Sequence, residues 1–331
     1  METNYNLSIF YDEKVVAVTG GSGYIGSALI NKLQKYNCKI IRTSRTPLVP
    51  IDGVQDKILD LKSKESWVEL VSTADIIFHL AGNTSIAFAE ENIDESLLSN
   101  LLPITNLVYA SKKLRISPRV VYASTVTVYG LTKDFPVVES INPSPITTYD
   151  LHKLLAEQEL SIANQNNIIN SIILRLANVY GPSLSESKAE DRGILNKLTR
   201  MRFEGKNIQI YGDGNNIRDY VYIDDVVNAF LHASIIDSAE NIFNVASGVG
   251  TSIKQVFSLI SSEVEKHTGV IGVVENVDWP KGINEIEKRN FIGSVELLKS
   301  LSGWSPSISL EEGIKFLVNH YAKEYINDSV S

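Results

Sequence analysis

The sequence predicts an α/β fold in which a doubly wound, mostly parallel sheet carries a smaller C-terminal lobe. Short runs rich in β-branched residues alternate with longer amphipathic stretches through the first half of the chain. A glycine-rich segment joins the first of these runs to the first amphipathic stretch. Beyond residue 181 the pattern becomes more polar and richer in glycine and asparagine. Repeated strand, helix, strand order implies right-handed crossovers and a parallel sheet.

Each predicted element of the first half follows from hydrophobic periodicity. Apolar residues fall on one face between Ile25 and Leu33, and similar helical patterns occupy 94–114 and 149–166. The predicted strands are Val15-Val16-Ala17-Val18, Lys39-Ile40-Ile41, Asp75-Ile76-Ile77-Phe78, Val120-Val121-Tyr122 and Ser171-Ile172-Ile173-Leu174.

The second half predicts a separate, smaller lobe. Residues 183–193 and 205–216 are polar or glycine-containing and predict loops. We expect one domain over 1–180, a second lobe over most of 181–331, and a return of part of 219–247 to the first domain. The predicted elements of this half are a helix from about Asp224, a strand over Ile242-Phe243-Asn244-Val245, a helix from Ser252 and a final helix from Leu310.

Composition excludes several classes of protein. The chain has 331 residues, 44% of them hydrophobic, and 31 basic against 39 acidic side chains give a net charge of −8. An acidic chain repels a phosphate backbone, so a nucleic-acid partner is not expected. The single cysteine, Cys38, cannot form an internal disulfide or a cysteine-based metal site. No apolar run reaches about 18 residues. We therefore expect a soluble, cytoplasmic protein without a bound metal.

A glycine-rich turn follows the first predicted strand. Gly20, Gly23 and Gly26 have the spacing G-x-x-G-x-x-G, and a predicted helix begins within the motif. Bare backbone and a tight turn let a pyrophosphate approach the N–H groups at the helix N-terminus. The motif in this context predicts a Rossmann-type dinucleotide-binding domain.

The end of the second strand bears on the choice of dinucleotide. An acidic residue there hydrogen-bonds the adenosine ribose, whereas basic residues accommodate a 2′-phosphate. Arg42 occupies the acidic position, and Thr43, Ser44 and Arg45 follow it. Two arginines and two hydroxyls form a good phosphate cradle, so NADP(H) is favoured and NAD(H) stays open.

A tyrosine and a lysine stand four residues apart at Tyr149 and Lys153. On a helix these positions share a face, so the ammonium could lower the phenol pKa and make it a general acid or base. The same spacing recurs at Tyr109/Lys113 and Tyr129/Lys133, but only Tyr149/Lys153 begins a helix just after the loop that leaves a core strand.

A segment rich in hydroxyl side chains, 123–130, ends the fourth predicted strand. The active sites of open α/β sheets lie at such strand ends.

Together these residues resemble the extended short-chain dehydrogenase/reductase family, which contains nucleotide-sugar epimerases, dehydratases and ketoreductases. The resemblance covers nearly the whole chain. Besides the glycine turn and Tyr149/Lys153, it rests on Asp60-Leu61, His79-Leu80-Ala81-Gly82, Thr125 to Gly130, Arg175 to Pro182, Tyr211-Gly212-Asp213-Gly214, Arg218 to Asp225, and Gly303-Trp304-Ser305-Pro306.

The resemblance implies a role for each matching position. Asp60 would meet the adenine amino group, and Lys153 would hold the nicotinamide ribose while tuning Tyr149. Thr125 would bond the C4 oxygen of a sugar while Tyr149 exchanges its proton. The implied cofactor-binding residues are Gly20, Gly23, Tyr24, Ile25, Gly26, Arg42, Ser44, Arg45, Asp60, Leu61, Leu80, Ala81, Gly82 and Lys153. The implied substrate-binding residues are Thr84, Thr125, Thr127, Asn178 and Arg218, the last two holding a diphosphate.

Departures from the family pattern narrow the reaction. The dehydratases carry Thr-Asp-Glu where this chain has Thr125-Val126-Thr127, so elimination lacks its acid and base. The cysteine-dependent epimerisation of the GDP-fucose synthases is not expected, because Cys38 lies far from the other site residues. NAD-dependent 4-epimerases usually carry Asp at the position of Arg42. Near Asn284, where many relatives place a second arginine for the diphosphate, this chain has Lys281, Lys288 and Arg289.

The leading interpretation is an NADP(H)-dependent reductase that acts on C4 of a nucleotide-linked 4-keto-6-deoxy sugar. A nucleotide-sugar 4-epimerase is the alternative, and reduction of a non-sugar ketone is more remote. A non-catalytic, cofactor-sensing protein is also remote, because such proteins tend to lack the pair that Tyr149 and Lys153 form here. The resemblance further implies a homodimer formed through the helices near 94–114 and 149–166.

Overall fold

A computed structural model of the chain describes residues 6–184 and 193–330. Seven parallel strands form its central sheet in the order β10-β6-β5-β4-β1-β2-β3. The strands are β1 Val15–Thr19, β2 Lys39–Ser44, β3 Val54–Ile58, β4 Ile76–His79, β5 Arg119–Thr125, β6 Asn170–Leu176, β7 Asn178–Tyr180, β8 Ile208–Tyr211, β9 Ile217–Tyr222, β10 Ile242–Val245, β11 Gly250–Ser252 and β12 Val274–Val277. The predicted α/β class is confirmed.

Helices cover both faces of the sheet. The apolar side chains of α2, α9 and α11 pack on one face, and those of α3, α6 and α7 pack on the other. The helices are α1 Leu7–Tyr11, α2 Tyr24–Leu33, α3 Lys64–Thr73, α4 Ile86–Glu91, α5 Ile93–Asn100, α6 Leu102–Leu114, α7 Thr148–Gln165, α8 Ile194–Phe203, α9 Ile223–Ala233, α10 Ile253–Thr268, α11 Glu296–Ser302 and α12 Leu310–Val330.

The strand order reverses direction between β1 and β4. From β1 the chain builds outward through β2 and β3, then returns to β4 and builds the other way through β5 and β6. Loops that leave such a switch point diverge, and the crevice between them is where open α/β sheets bind ligands. The fold therefore places the glycine-rich turn after β1 beside the segment that follows β4.

A second layer of structure stands over the carboxyl ends of the sheet. Two small sheets, β11-β9-β7 and β12-β8, pack with α8, α10 and α12 around a separate apolar core. Tyr24, at the start of α2, belongs to this core, and its hydroxyl donates to the carbonyl of Gly181 at 2.7 Å. The side chain of Tyr24 thus connects the glycine-rich turn to the second lobe.

Several segments differ from their sequence-based expectation. The helical pattern at 94–114 divides into α5 and α6 at Leu101, because Pro103 is tolerated only in the first turn of a new helix. Strand β8 lies within the predicted loop 205–216, where β12 pairs with it across a long sequence separation. Most of the predicted loop 183–193 lies outside the described residues.

Candidate cofactor and substrate site

A deep cleft of about 1090 Å³ opens at the carboxyl ends of β1, β2, β4 and β5. Its lining includes every catalytic residue predicted from the sequence. It also includes every predicted cofactor residue except Arg42, and Thr84 and Thr125 among the predicted substrate residues: Gly20, Gly23, Tyr24, Ile25, Gly26, Ser44, Arg45, Asp60, Leu61, Leu80, Ala81, Gly82, Thr84, Thr125, Tyr149 and Lys153.

The glycine-rich turn leaves no room for side chains at its closest points. Gly20 has φ +69°, and a Cβ on Gly26 would lie only 2.2 Å from the Gly20 carbonyl oxygen. The N–H of Gly23 donates to that same oxygen at 2.9 Å, which closes the turn. Helix α2 then begins directly, with its first N–H groups at the cleft. This cradle fits the pyrophosphate of a dinucleotide.

The opposite wall follows β4 and is fixed from beneath. Thr19 hydrogen-bonds His79 Nδ1 at 2.7 Å and accepts from the Ala81 N–H at 3.3 Å. Burial lowers the pKa of His79 to about 3, so this imidazole is neutral. Behind Gly82 lies Asn100, whose buried side-chain amide has no partner within the described residues. Its orphaned polar atoms also fit a group bound above Gly82.

Asn100 was not selected from the sequence. A Cβ on Gly82 would lie 2.6 Å from Asn100 Oδ1 and 3.8 Å from Lys153 Nζ, so the amide stands directly beside the cleft floor. Asn100 falls inside the helical pattern predicted at 94–114, so no local pattern distinguished it. The one available signal was Pro103, which begins a new helix just after it.

The structure corrects the placement of Arg42. Its guanidinium is buried where β2 pairs with β3. Nε and Nη2 donate to the Asp56 carboxylate at 2.6 and 2.8 Å. Nη2 also donates to the Val49 carbonyl at 2.7 Å. Because side chains alternate between the two faces of a strand, Arg42 points away from the face that Thr43 presents. Arg42 therefore does not line the cleft.

Arg45 remains at the cleft beyond the end of β2. It is exposed and has no ion pair within the described part of the chain. Ser44 lies next to it and accepts from the N–H of Thr46 at 3.2 Å. Asp60 is exposed across the same end of the cleft and caps the following turn through Lys62 N at 3.0 Å. The Arg45 cation, the hydroxyl residues Thr43, Ser44 and Thr46, and the Asp60 carboxylate consequently border this end of the cleft.

The Tyr149 phenol lies in the cleft at the first turn of α7. Its pKa is raised, chiefly by burial and then by the neighbouring Asp150, whereas a hydrogen bond with Thr125 opposes the rise. Thr125 ends β5, and Thr147 caps α7 by accepting from the Asp150 N–H at 3.1 Å. The strand end and the capped helix together hold the hydroxyl beside the phenol.

Lys153 lies on the same face of α7 but is bound elsewhere. Its ammonium donates to the Ala123 carbonyl at 2.7 Å and to the Tyr122 hydroxyl at 3.1 Å, and it lies 4.5 Å from the centre of the Tyr122 ring. Burial lowers the pKa of Lys153 to about 8. The direct contacts of the ammonium are thus with Ala123 and Tyr122, and its predicted effect on the pKa of Tyr149 stays a prediction. Tyr122 was not predicted to be a site residue, because its position in the sequence is that of an ordinary strand residue.

A buried ion pair joins the back of α7 to the sheet. Glu157, one turn beyond Lys153, accepts from Arg175 Nη2 on β6 at 2.6 Å. The Ser124 hydroxyl also donates to Glu157, and the Arg175 guanidinium lies 4.6 Å from the centre of the Tyr129 ring. These contacts fix the helix that carries Tyr149 against the strand that carries Thr125.

Thr127 and Asn178, two predicted substrate residues, do not line the cleft. The Thr127 hydroxyl lies 2.8 Å from Thr125 Oγ1 and donates to the buried carboxylate of Asp150. Asn178 donates through Nδ2 to the Asp219 carbonyl at 2.9 Å, across β7 and β9. Both side chains are engaged with the protein in this structure.

Arg218 is held by backbone carbonyls beyond the cleft lining. It donates to the carbonyls of Glu287 and Arg289, the former at 2.6 Å. Burial and the adjacent Arg289 lower the pKa of Arg218 to about 10. Within the described residues neither arginine forms an ion pair with a carboxylate, and Arg289 Nε is buried without a partner. Two adjacent guanidiniums, with the charge of Glu287 acting on both, form a place that favours an anion.

Residues 6–184 and 193–330 contain no group of three or more His, Cys, Asp or Glu side chains that could hold a metal ion. Among the helices described, none combines the length and apolar character needed to cross a bilayer.

A glycine-rich phosphate cradle that shares its cleft with a phenol, a hydroxyl and an ammonium is typical of dinucleotide-binding enzymes of the Rossmann type. The sequence matches the model of the NAD dependent epimerase/dehydratase family over residues 16–246. The chain therefore belongs to this family and is an enzyme of the extended short-chain dehydrogenase/reductase group. The family predicted from the motifs is confirmed.

Known relatives cover almost the entire chain. It is 30% identical to a putative UDP-glucose 4-epimerase of Methanocaldococcus jannaschii, over 92% of this chain and 97% of the relative. It is 27% identical to a GDP-6-deoxy-D-mannose reductase of Pseudomonas aeruginosa, over 92% and 96%. A UDP-glucose 4-epimerase of Thermus thermophilus, solved in complex with NAD, superposes with a TM-score of 0.78 at 27% identity, over 93% and 98%.

Proposed function

We propose that the chain transfers a hydride between a nicotinamide cofactor and C4 of a nucleotide-linked sugar, most directly as an NADP(H)-dependent reductase of a 4-keto-6-deoxy hexose. The observation that carries the proposal is that Thr125 and Tyr149 line the same cleft as the glycine-rich cradle. A phenol and a hydroxyl at one oxygen atom are what ketone reduction requires.

The residues that would hold the cofactor divide along the cleft. The turn around Gly20 and the start of α2 would take the pyrophosphate, Asp60 the adenine, and Gly82 with Lys153 the nicotinamide ribose. When it is bound, the nicotinamide cofactor supplies a hydride to C4 of the sugar or accepts one from it.

The chain's own residues handle the carbonyl oxygen and its proton. Thr125 would donate to the ketone oxygen and polarise it, while the Tyr149 phenol would give its proton to the developing alkoxide. The buried Lys153 ammonium would add positive charge to this end of the cleft and favour the charged form of the phenol. Burial of the phenol keeps water from competing for the oxygen.

Substrate binding would depend on the paired arginines. Arg218 and Arg289 lie side by side without a direct ion pair in the described residues, and a diphosphate would supply oxygen atoms for both guanidiniums. Electrostatic contact between Arg289 and Asp150 indicates that this cationic pair stands near the catalytic helix. Asn178, at the start of β7, is the further candidate for this ligand.

The preference for NADP(H) is proposed on the end of β2. Arg45 is an exposed cation beside Ser44 at the cleft. The nearby acidic residue Asp56, opposite Arg42 in the sheet, already forms an ion pair with Arg42. A 2′-phosphate would meet Arg45 and the neighbouring hydroxyls.

A second candidate, 4-epimerisation, uses the same residues in both directions. It is favoured by the relatives of Methanocaldococcus and Thermus, both named as UDP-glucose 4-epimerases. An epimerase would retain its cofactor and invert C4 without consuming NADPH.

The two candidates are separated by one assay on the purified protein. NADPH consumption is followed with a panel of nucleotide-linked 4-keto-6-deoxy sugars, and C4 inversion is followed with UDP-hexoses without added NADPH. We expect NADPH consumption with at least one ketone. Inversion alone would establish the epimerase instead, and absence of both activities would exclude both.

We also propose that the protein forms a homodimer through α5 and α7. Exposed apolar side chains form a stripe along α7 at Leu151, Leu155 and Ile162, and α5 adds Ile93 and Leu97 beside it. Water contact with such a stripe is unfavourable, and a second copy of the same face would cover it.

A further inference from the structure

A series of side-chain contacts leads from Tyr149 away from the cleft. Thr125 lines the cleft together with the Tyr149 phenol and lowers the pKa of that phenol. The Thr125 hydroxyl lies 2.8 Å from Thr127 Oγ1, and Thr127 donates to Asp150 Oδ1. Its far end is therefore a carboxylate that has no exposed surface.

Asp150 has a second oxygen available. Its Oδ2 is buried and has no partner within the described residues. A carboxylate with one oxygen unpaired leaves much of its acceptor capacity unused, which is costly in a buried place. Asp150 lies in the first turn of α7, where a carboxylate favours the helix N-terminus and contacts the Thr147 cap, but this role leaves Oδ2 without a partner.

We infer that Asp150, Thr127 and Thr125 form a proton relay that exchanges a proton with Tyr149 during reaction at C4. The inference rests on the proposed function and assigns roles to residues beyond the Thr125, Tyr149 and Lys153 group.

The balance of the relay is simplest in the oxidising direction. The sugar alcohol loses its hydride by the cofactor chemistry stated above, and its hydroxyl proton passes to Tyr149 as Tyr149 gives its own proton to Thr125. Thr125 passes one to Thr127, and Thr127 passes one to the Asp150 carboxylate. The products are the ketone and a protonated Asp150, with every hydroxyl restored. Reduction reverses each transfer and leaves Asp150 ionised, and after the product leaves, water in the cleft returns the proton to Asp150 through the same hydroxyls.

The relay also sets the direction of the hydrogen bonds at the substrate. An ionised Asp150 only accepts, so Thr127 must donate to it and Thr125 must donate to Thr127, which leaves Thr125 able only to accept, from Tyr149 and from an alcohol. A protonated Asp150 allows the reverse order, in which Thr125 donates to a ketone and, once Tyr149 has given up its proton, to the phenolate. The two protonation states of Asp150 thus match the two oxidation states of C4.

The groups that face Asp150 bias this exchange. Burial raises the pKa of Asp150 and Glu90 on α4 adds to the rise, whereas hydrogen bonds with Thr127 and Thr147 and the charge of Arg289 oppose it. Reduction takes a proton from Asp150 and oxidation delivers one to it. The rate of reduction should therefore fall as pH rises through the pKa of Asp150, and the rate of oxidation should increase.

Kinetics with matched variants test the relay. We expect Asp150→Asn to lower kcat by about 10²-fold, to leave KM unchanged and to remove this pH dependence. Thr127→Val should do the same, whereas Thr127→Ser should retain wild-type activity. Glu159→Gln removes another carboxylate of α7, one that accepts from Thr105 at 2.8 Å, and should change nothing. Wild-type pH dependence in Asp150→Asn, or equal activity of the two Thr127 variants, would overturn the relay.

Infrared difference spectroscopy decides the same question without turnover. A carboxylic C=O band that titrates with pH in the wild type should vanish in Asp150→Asn, and its frequency should shift in Thr127→Val. Its midpoint should shift in Tyr149→Phe. A band that is unchanged in both Thr127→Val and Tyr149→Phe would disprove the link between Asp150, Thr127 and Tyr149. Because this result needs no turnover of a sugar, it separates failure of the relay from failure of the proposed function.

Discussion

At the residue scale, two arginines of similar sequence position have different roles. Arg42 pairs with Asp56 inside the protein, whereas Arg45 stands at the cleft without an ion pair in the described residues. Charge-assisted hydrogen bonds to a phosphate contribute about 1.5–3 kcal/mol, so their loss is measurable as affinity.

Arg45→Ala should therefore raise the KM for NADPH about tenfold or more, because the 2′-phosphate loses its cation, and should leave the KM for NADH unchanged. Arg42→Ala should instead lower the free energy of unfolding by about 1–3 kcal/mol, because Asp56 loses its partner. Steady-state kinetics and urea unfolding measure the two effects. The opposite assignment, with NADPH selectivity lost only in Arg42→Ala, would contradict the structure.

The residues of the cleft were predictable to the extent that their function lies in local spacing. Gly20, Gly23 and Gly26 form a turn by themselves, and Tyr149 and Lys153 share a helix face at any tertiary arrangement. The partner of Arg42 was not predictable, since Asp56 lies opposite Arg42 only once β2 and β3 pair in that register. The contact between Lys153 and Tyr122 likewise depends on how α7 packs on β5.

At the element scale, the position of α7 depends on one buried ion pair. The side chains of Glu157 and Arg175 are almost fully buried, at 1% and 3% exposure. Loss of one partner leaves an uncompensated charge in the interior, which is far more damaging than loss of an exposed pair.

Arg175→Met should lower the free energy of unfolding by about 3–5 kcal/mol, because the Glu157 carboxylate keeps its burial without its cation. Lys57→Met breaks the exposed pair with Glu69 and should cost less than about 1 kcal/mol. Equilibrium unfolding in urea compares them. Equal effects of the two variants would show that the pair with Glu157 does not anchor α7.

Secondary structure itself was predictable where periodicity was strong and packing did not intervene. The strands at 15–19 and 242–245 and the helices beginning near 224, 252 and 310 follow the expected positions. Strand β8 could not be predicted, because its partner β12 lies more than 60 residues away and supplies the pairing that defines it.

At the scale of the whole molecule, the exposed apolar stripe on α7 makes an assembly prediction. Ile162→Glu places a charge in the proposed dimer face and should convert dimer to monomer in sedimentation velocity at micromolar concentration. Ile271→Glu alters an even more exposed apolar side chain, 76% against 61%, outside that face and should leave the dimer intact. A wild type that sediments as a monomer, or a dimer that tolerates Ile162→Glu, would show that this face is not the interface.

Hydride transfer at C4 of the sugar with Tyr149 as the proton donor is the central claim for this cleft. Transfer of deuterium from NADPH that carries two deuterium atoms at C4 of the nicotinamide to the panel of 4-keto-6-deoxy sugars, measured by mass spectrometry and NMR of the product, tests it most directly. We expect a single deuterium at C4 with the wild type and at least a roughly 10²-fold slower transfer with Tyr149→Phe. Deuterium at no position, or at the same rate in Tyr149→Phe, would contradict it.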